Sequence, residues 1–217
     1  MEVSVTCSLC SKVMNHISVP QPGNDVKFIS YYTKDTPYKR EADRLESSLR
    51  RLGLNYEIEE VPDLGDWKLN ARFKAQFVRD RVGEQPVVWL DADSIVWEHP
   101  MKLMHLDCDF AHTYSHPDKL NGAVHYWAPT PNAIALADRW VEVCIERNTK
   151  DSFERDQKCL QYAMDELADS KCIQVEVLPV EYCFIFDTHR RKNPRLTPII
   201  EQFQASRAYR RKKKKKK

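Results

Sequence analysis

Four bulky apolar residues, Val87-Val88-Trp89-Leu90, run without interruption into Asp91-Ala92-Asp93. An unbroken apolar run of that length, in place of alternation, is the pattern of a central parallel strand covered on both faces. The chain must therefore lay helices or loops on either side of a sheet. Two carboxylates one residue apart at the end of such a strand repel each other unless a positive charge lies between them. A divalent cation is the economical answer.

The segments before this strand supply the layers. Residues 26–33, VKFISYYT, are rich in β-branched and aromatic side chains and predict a strand. Pro37 opens a helix in which Ala42, Leu45, Leu49 and Leu52 recur at helical spacing, and Gly53 stops it. YEIEEV (56–61) alternates as a second strand. Asp66 is placed to cap WKLNARFKAQFVRDRV, where Ala71, Lys74 and Phe77 or Val78 share a face and Gly83 marks the end. The order strand, helix, strand, helix, strand predicts a doubly wound α/β sheet with right-handed crossovers. Ligands in such sheets bind beyond the carboxyl ends of the strands, where Asp91 and Asp93 stand.

The second half is less regular. DFAHTY (109–114) and GAVHYWAP (122–129) predict strands around a loop holding the turn pair Asn121-Gly122. Pro131 begins a helix with the stripe Ile134, Ala137, Trp140, Val141 and Cys144. Another helix is expected over about 151–168, with Phe153, Leu160, Met164 and Leu167 inward and Asp156 and Gln157 near its start. Short apolar pieces, VEVLP, YCFIF and PIIEQF, close the chain. Trp67, Trp89, Trp97 and Trp127 read as core or rim packing, and the histidines at 99, 105, 112, 116 and 125 share no metal-ligand spacing.

At 217 residues, 42% hydrophobic and 30% charged, the chain suits one globular domain. No apolar run approaches the roughly 20 residues of a membrane span. MEVSVTCSLCSKVM has neither the basic start nor the apolar stretch of a secretory signal, so a cytoplasmic location is the expectation. The seven cysteines then read as reduced thiols, and Cys7-x-x-Cys10 with His16 lacks the second pair that a zinc site needs. Eight of the positive charges fall in RRKKKKKK (210–217), which takes the rest of the chain from the overall +2 to −6. Such a tail suits either a solvated end or salt-sensitive attachment to a polyanion such as DNA.

In an extended segment Asp91 and Asp93 project to one side. Hard oxygen ligands so placed suit Mg²⁺ or Mn²⁺, which keep positions open for substrate phosphates. A metal held there bridges a diphosphate and stabilises the charge that grows as the diphosphate leaves. The plainer alternative is that one aspartate caps the following turn and the other is a surface residue.

VVWLDADSIVWEHP, with VKFISYYT some sixty residues before it, resembles the GT-A fold of nucleotide-sugar glycosyltransferases. NGAVHYWAPTP, ERDQKCLQYAM, LPVEYCFIFD and PIIEQFQASR also resemble small glycosyltransferase-like proteins of bacteriophages. The resemblance implies a GT-A type α/β domain, a Rossmann-like mixed sheet flanked by helices, over residues 26–207, after an extension at 1–25 and before a basic tail at 208–217. It implies that Asp91 and Asp93 hold a Mn²⁺ or Mg²⁺ ion and the diphosphate of a UDP-sugar. It places Tyr31, Tyr32 and Thr33 toward the nucleotide base and ribose, Asn70 and Lys74 toward the donor, with Lys74 a phosphate contact. Asn121 and Gly122 would line the sugar, and Asp156 with Gln157 would lie near the sugar or the acceptor hydroxyl. Many GT-A enzymes take a third metal ligand from a C-terminal histidine. The matching stretch here, IEQFQASR, offers Gln202 instead, with His189 the nearest alternative.

Two other readings compete. A phosphatase of the haloacid-dehalogenase type also carries Asp-x-Asp after an apolar strand, but near the N-terminus, with Gly or Thr after the second Asp and a late acidic pair. A non-catalytic nucleic-acid-binding module would explain the tail, yet a body at −6 offers no surface that tracks phosphates. The favoured expectation is a metal-dependent transfer of a hexose from a nucleotide diphosphate to an acceptor hydroxyl. Asp156 or Glu154 would be the base if the anomeric centre inverts. The phage resemblance and the tail suggest a hydroxymethylated pyrimidine in DNA as acceptor, with a glycan or protein acceptor open.

Overall fold

The computed structural model describes residues 26–65, 67–116, 119–149, 152–169, 173–207 and 209. Cys7, Cys10, His16, Asp66 and the basic run 210–217 lie outside the described residues.

Strand β1 (Lys27–Thr33), helix α1 (Tyr38–Arg51), strand β2 (Tyr56–Val61), helix α2 (Trp67–Arg79) and strand β3 (Val87–Leu90) follow one another as expected. β1 pairs in parallel with both β2 and β3. After the short β4 (Ser94–Val96) come β5 (Phe110–His116), β6 (Lys119–Trp127), α3 (Pro131–Glu146), α4 (Asp156–Asp169) and β7 (Val175–Val177). β8 (Phe184–Ile185), α5 (Thr188–Lys192) and β9 (Ile200–Gln202) complete the set. The main sheet has the order β2-β1-β3-β6-β5-β7, and β4-β9-β8 form a small second sheet.

The sheet is mixed. β3 runs parallel to β1 on one side and antiparallel to β6 on the other, so the VVWL run marks a central strand whose two neighbours differ in direction. The absence of alternation has a direct cause: Val87 and Trp89 point into one core, Val88 and Leu90 into the other. The first core joins Ile29, Phe77, Val78, Phe110 and Trp127 to α3 and α4 through Leu136, Trp140 and Leu160. The second joins Phe28, Val88 and Val124 to Leu45 and Leu49 of α1. Each such side chain, fully buried, contributes about 1.5–3 kcal/mol.

Three local expectations change. α2 ends at Arg79, and turns carry the chain to Gly83, whose φ of 132° suits glycine. Helix α4 starts at Asp156, about five residues later than the periodicity suggested, which makes Asp156 its first residue. Asn121 and Gly122 lie inside β6, not in a hairpin loop. There the ladder slips: His112 opposes His125, but Thr113 opposes Asn121. Glycine at 122 answers packing, since a Cβ there would stand 3.2 Å from Gln157 Cβ.

Candidate active site

The carboxyl ends of β1 and β3, the middle of β6, the first turn of α4 and the strand end of β9 surround a cleft of about 460 Å³. Twelve of the residues singled out in the sequence line it: Tyr31, Tyr32, Thr33, Asn70, Lys74, Asp91, Asp93, Asn121, Gly122, Asp156, Gln157 and Gln202.

Asp91 and Asp93 reach the cleft by a route other than the pleat. β3 ends at Leu90, and the Ser94 N–H donates to the Asp91 carbonyl at 2.9 Å, so residues 91–94 form a turn before β4. Asp91 Oδ1 accepts from Lys74 Nζ at 2.7 Å and from Trp89 Nε1 at 3.0 Å. Asp93 is buried: Gln202 Nε2 donates to Oδ1 at 2.8 Å and the Ala205 N–H to Oδ2 at 2.6 Å. Burial, then the charge of Asp91, pushes the Asp93 carboxyl up to about 6 against those hydrogen bonds.

Lys74 is engaged inside the protein. Its ammonium contacts Asp91 Oδ1, Asp156 Oδ2 at 3.1 Å and the Gly122 carbonyl at 3.1 Å. Two hydrogen bonds and one ion pair thus engage the ammonium inside the protein. Burial alone would lower its pKa, but Asp156 and Asp91 together hold it well above the ordinary lysine value.

Several other side chains in the cleft are engaged within the protein. Tyr31 OH donates to the Asn70 carbonyl at 2.6 Å, and burial raises its phenol well above the usual range. The Asn70 side chain staples the loop before α2, donating to Asp63 at 2.7 Å and accepting from the Leu64 N–H at 2.9 Å. Asn121 donates to Cys183 Sγ at 3.0 Å and accepts from the Ala123 N–H at 3.1 Å. Gln157 Nε2 donates to the Leu120 carbonyl.

His189 is not among the cleft residues, and its Nδ1 accepts from the Ile185 N–H at 2.9 Å. Glu154, the alternative base, pairs with Lys158 at 2.7 Å and is not among the cleft residues either. Gln202 faces Asp93 with nitrogen, because its Oε1 accepts from the Gln204 backbone N–H at 3.1 Å. It therefore offers no oxygen beside Asp93.

Among the described residues no three His, Cys, Asp or Glu side chains gather as a metal site. The donor set still fits a hard cation. Two adjacent carboxylates share the cleft floor, one is buried with its acid form favoured by the other's charge, and among the described residues no donor lies on Asp91 Oδ2. Mg²⁺ or Mn²⁺ would complete its coordination with water and substrate oxygens.

Arg155, Gln204, Ser206 and Arg207 also line the cleft and were not singled out. Gln204 stands past the end of β9 with a left-handed φ of 54°, so strand alternation gave no signal for it. Arg207 pairs with Asp187 at 3.0 Å. Beyond it, Tyr209 OH donates to Glu41 at 2.9 Å and its ring packs on Tyr38.

Among the described residues no helix is long and apolar enough to cross a membrane. No curated protein matches the chain in sequence. A glycosyltransferase involved in the glycosylation of the major capsid of PBCV-1 superposes with a TM-score of 0.65 at 17% identity, covering 86% of this chain and 97% of that one. The glycosyltransferase GlyE of Streptococcus pneumoniae TIGR4, in its apo form, gives 0.59 at 18% identity over 81% of this chain, which spans about half of GlyE (53%). These likenesses establish the fold as GT-A type α/β. The family model for nucleotide-diphospho-sugar transferases matches residues 84–216, more than half of the chain and including Asp91, Asp93, Asp156 and Gln202. The chain belongs to the nucleotide-diphospho-sugar transferase family and is a glycosyltransferase.

Proposed function

We propose that the protein moves a hexose from a UDP-sugar to an acceptor hydroxyl, with Mg²⁺ or Mn²⁺ held by Asp91 and Asp93. The observation that carries this reading is the meeting of Asp91, Asp93 and Asp156 in one cleft at the carboxyl ends of parallel strands. A bound divalent ion would offset the charge that develops on the departing diphosphate. Tyr32, Thr33 and Tyr38 at the end of β1 and start of α1 would receive the base and ribose. Asn121, Gly122, Asp156 and Gln157 would surround the sugar. Gln202 takes the role of donor to Asp93 in place of metal ligand. For the acceptor, the run of basic residues at 210–217 favours a polyanion bearing the hydroxyl, and hydroxymethylated DNA is the first to try.

The test is release of UDP from UDP-glucose and UDP-galactose with Mn²⁺ or with EDTA, with hydroxymethylcytosine DNA, oligosaccharides or peptides as acceptors. Metal-dependent release that Asp91→Ala abolishes is expected. Release that persists in EDTA removes the metal from the reading, and turnover without stimulation by the DNA removes the DNA acceptor.

A further inference from the structure

We propose that Lys74 is a positioning residue: it fixes two carboxylates of the cleft relative to each other and does not contact the donor. The inference rests on the transferase reading, because the separation of Asp91 and Asp156 matters only if the donor lies between them.

The ammonium makes two hydrogen bonds, to Asp91 and to the Gly122 carbonyl, and an ion pair with Asp156, each on a different element. Asp91 stands just past β3, Gly122 is in β6, and Asp156 opens α4. Lys74 itself projects from α2, so a single cation ties α2 and the first turn of α4 to the paired strands β3 and β6. Its side chain is only 11% exposed, and Trp89 packs 5.1 Å from the nitrogen. The Trp89 indole also donates to the carboxylate oxygen of Asp91 that Lys74 holds. Asp91 thus has one oxygen pinned from two directions, and its other oxygen is directed by that constraint.

The geometry at Asp156 is equally fixed. Its carboxylate meets Lys74, and its backbone carbonyl accepts from Trp140 Nε1 at 2.8 Å. Removal of the ammonium would leave Asp91 and Asp156 as like charges with no cation between them, and their carboxylates would turn apart while α4 stays anchored in the core. A shift of that kind misplaces reacting groups and costs catalysis more than nucleotide binding.

The experiment measures kcat and donor KM, and calorimetric binding of UDP with Mn²⁺, in the wild type, Lys74→Met, Lys74→Arg and Asp156→Asn, and kcat in the double variant Lys74→Met with Asp156→Asn. Lys74→Met is expected to lower kcat by about 100-fold while UDP affinity stays within about threefold. Lys74→Arg keeps the charge but not the compact three-way contact, so it folds and stays at least tenfold down in kcat, a loss on the order of that seen for misplaced groups. Because Lys74 acts in part through Asp156, the double variant loses less than the product of the single losses. The opposite split, with UDP affinity lost and kcat at saturation retained, assigns Lys74 to the phosphates and overturns the proposal. Fully multiplicative losses in the double variant overturn it too. Should Lys74→Met not fold, full kcat in Lys74→Arg does the same. A wild type that neither binds UDP nor turns over any donor refutes the transferase reading itself, and the positioning role falls with it.

Discussion

Gln202 meets Asp93 through its amide nitrogen, at 2.8 Å from Oδ1. The orientation is dictated by the Gln204 backbone N–H, which can only donate and lies 3.1 Å from Gln202 Oε1. The C-terminal strand therefore supplies a hydrogen bond to the second aspartate where an oxygen or imidazole would supply a metal ligand.

A ligand at that position should be a gain. Gln202→His is expected to tighten Mn²⁺ binding in the presence of UDP by about tenfold, the lower end of what one coordination partner contributes. Calorimetry of the two proteins decides it, and equal affinities would show that β9 stays outside the coordination sphere.

Gly122→Ala sets a new Cβ 3.2 Å from Gln157 Cβ. The first turn of α4 must give by a few tenths of an ångström, and overpacking of this kind costs about 1–3 kcal/mol. Urea unfolding should show that loss, and kcat should fall with it because Asp156 and Gln157 ride on the displaced turn. A full loss of stability with unchanged kcat would separate α4 from the reaction.

Trp140→Phe keeps most of the packing in the first core but removes the indole N–H that donates to the Asp156 carbonyl beside the helix's own bond. The expected cost is about 1–3 kcal/mol. Amide exchange in the first turn of α4 should quicken more than in the rest of the helix, whereas a uniform change would mean that the indole matters only as bulk.

Acid should weaken the fold through His112 and His125. The two face each other across β5 and β6, and burial lowers the pKa of each below the ordinary 6.5, that of His125 by far. Trp127 Nε1 donates to His125 Nδ1 at 2.6 Å, and Lys74 and His112 oppose its protonation. His112 has Asp165 acting the other way. A depressed histidine pKa leaves the unfolded chain holding more protons, so this share of stability is complete above pH 6.5 and is lost as pH falls from there toward the folded value. Each contributes up to about 1.4 kcal/mol per pH unit. Unfolding free energies at pH 7.5 and 5.5 should differ less in His125→Gln than in the wild type.

The layout of the fold could be read from the chain because its signals are local. VVWL announces a strand with two cores to fill, and the stripe Ala42, Leu45, Leu49 announces the helix over one of them. Local signals failed where distant packing decides. Asn121-Gly122 has the composition of a turn, yet Gln157 from α4 presses against it and the pair sits in β6. Asp91 and Asp93 were expected side by side from strand alternation, and they share the cleft through a turn. Lys74 looked like a cation in need of an anion from solution. Its anions come from β3 and α4, and no periodicity in the chain could bring them together.

The two donors that satisfy Asp93 follow it in the chain by 109 and 112 residues. A nascent chain can assemble β1, β2, β3, β5 and β6 while this carboxylate still faces water. The cleft floor is thus sealed only once residues 202–205 are made, so a cut before them should silence the enzyme while leaving most of its main sheet intact.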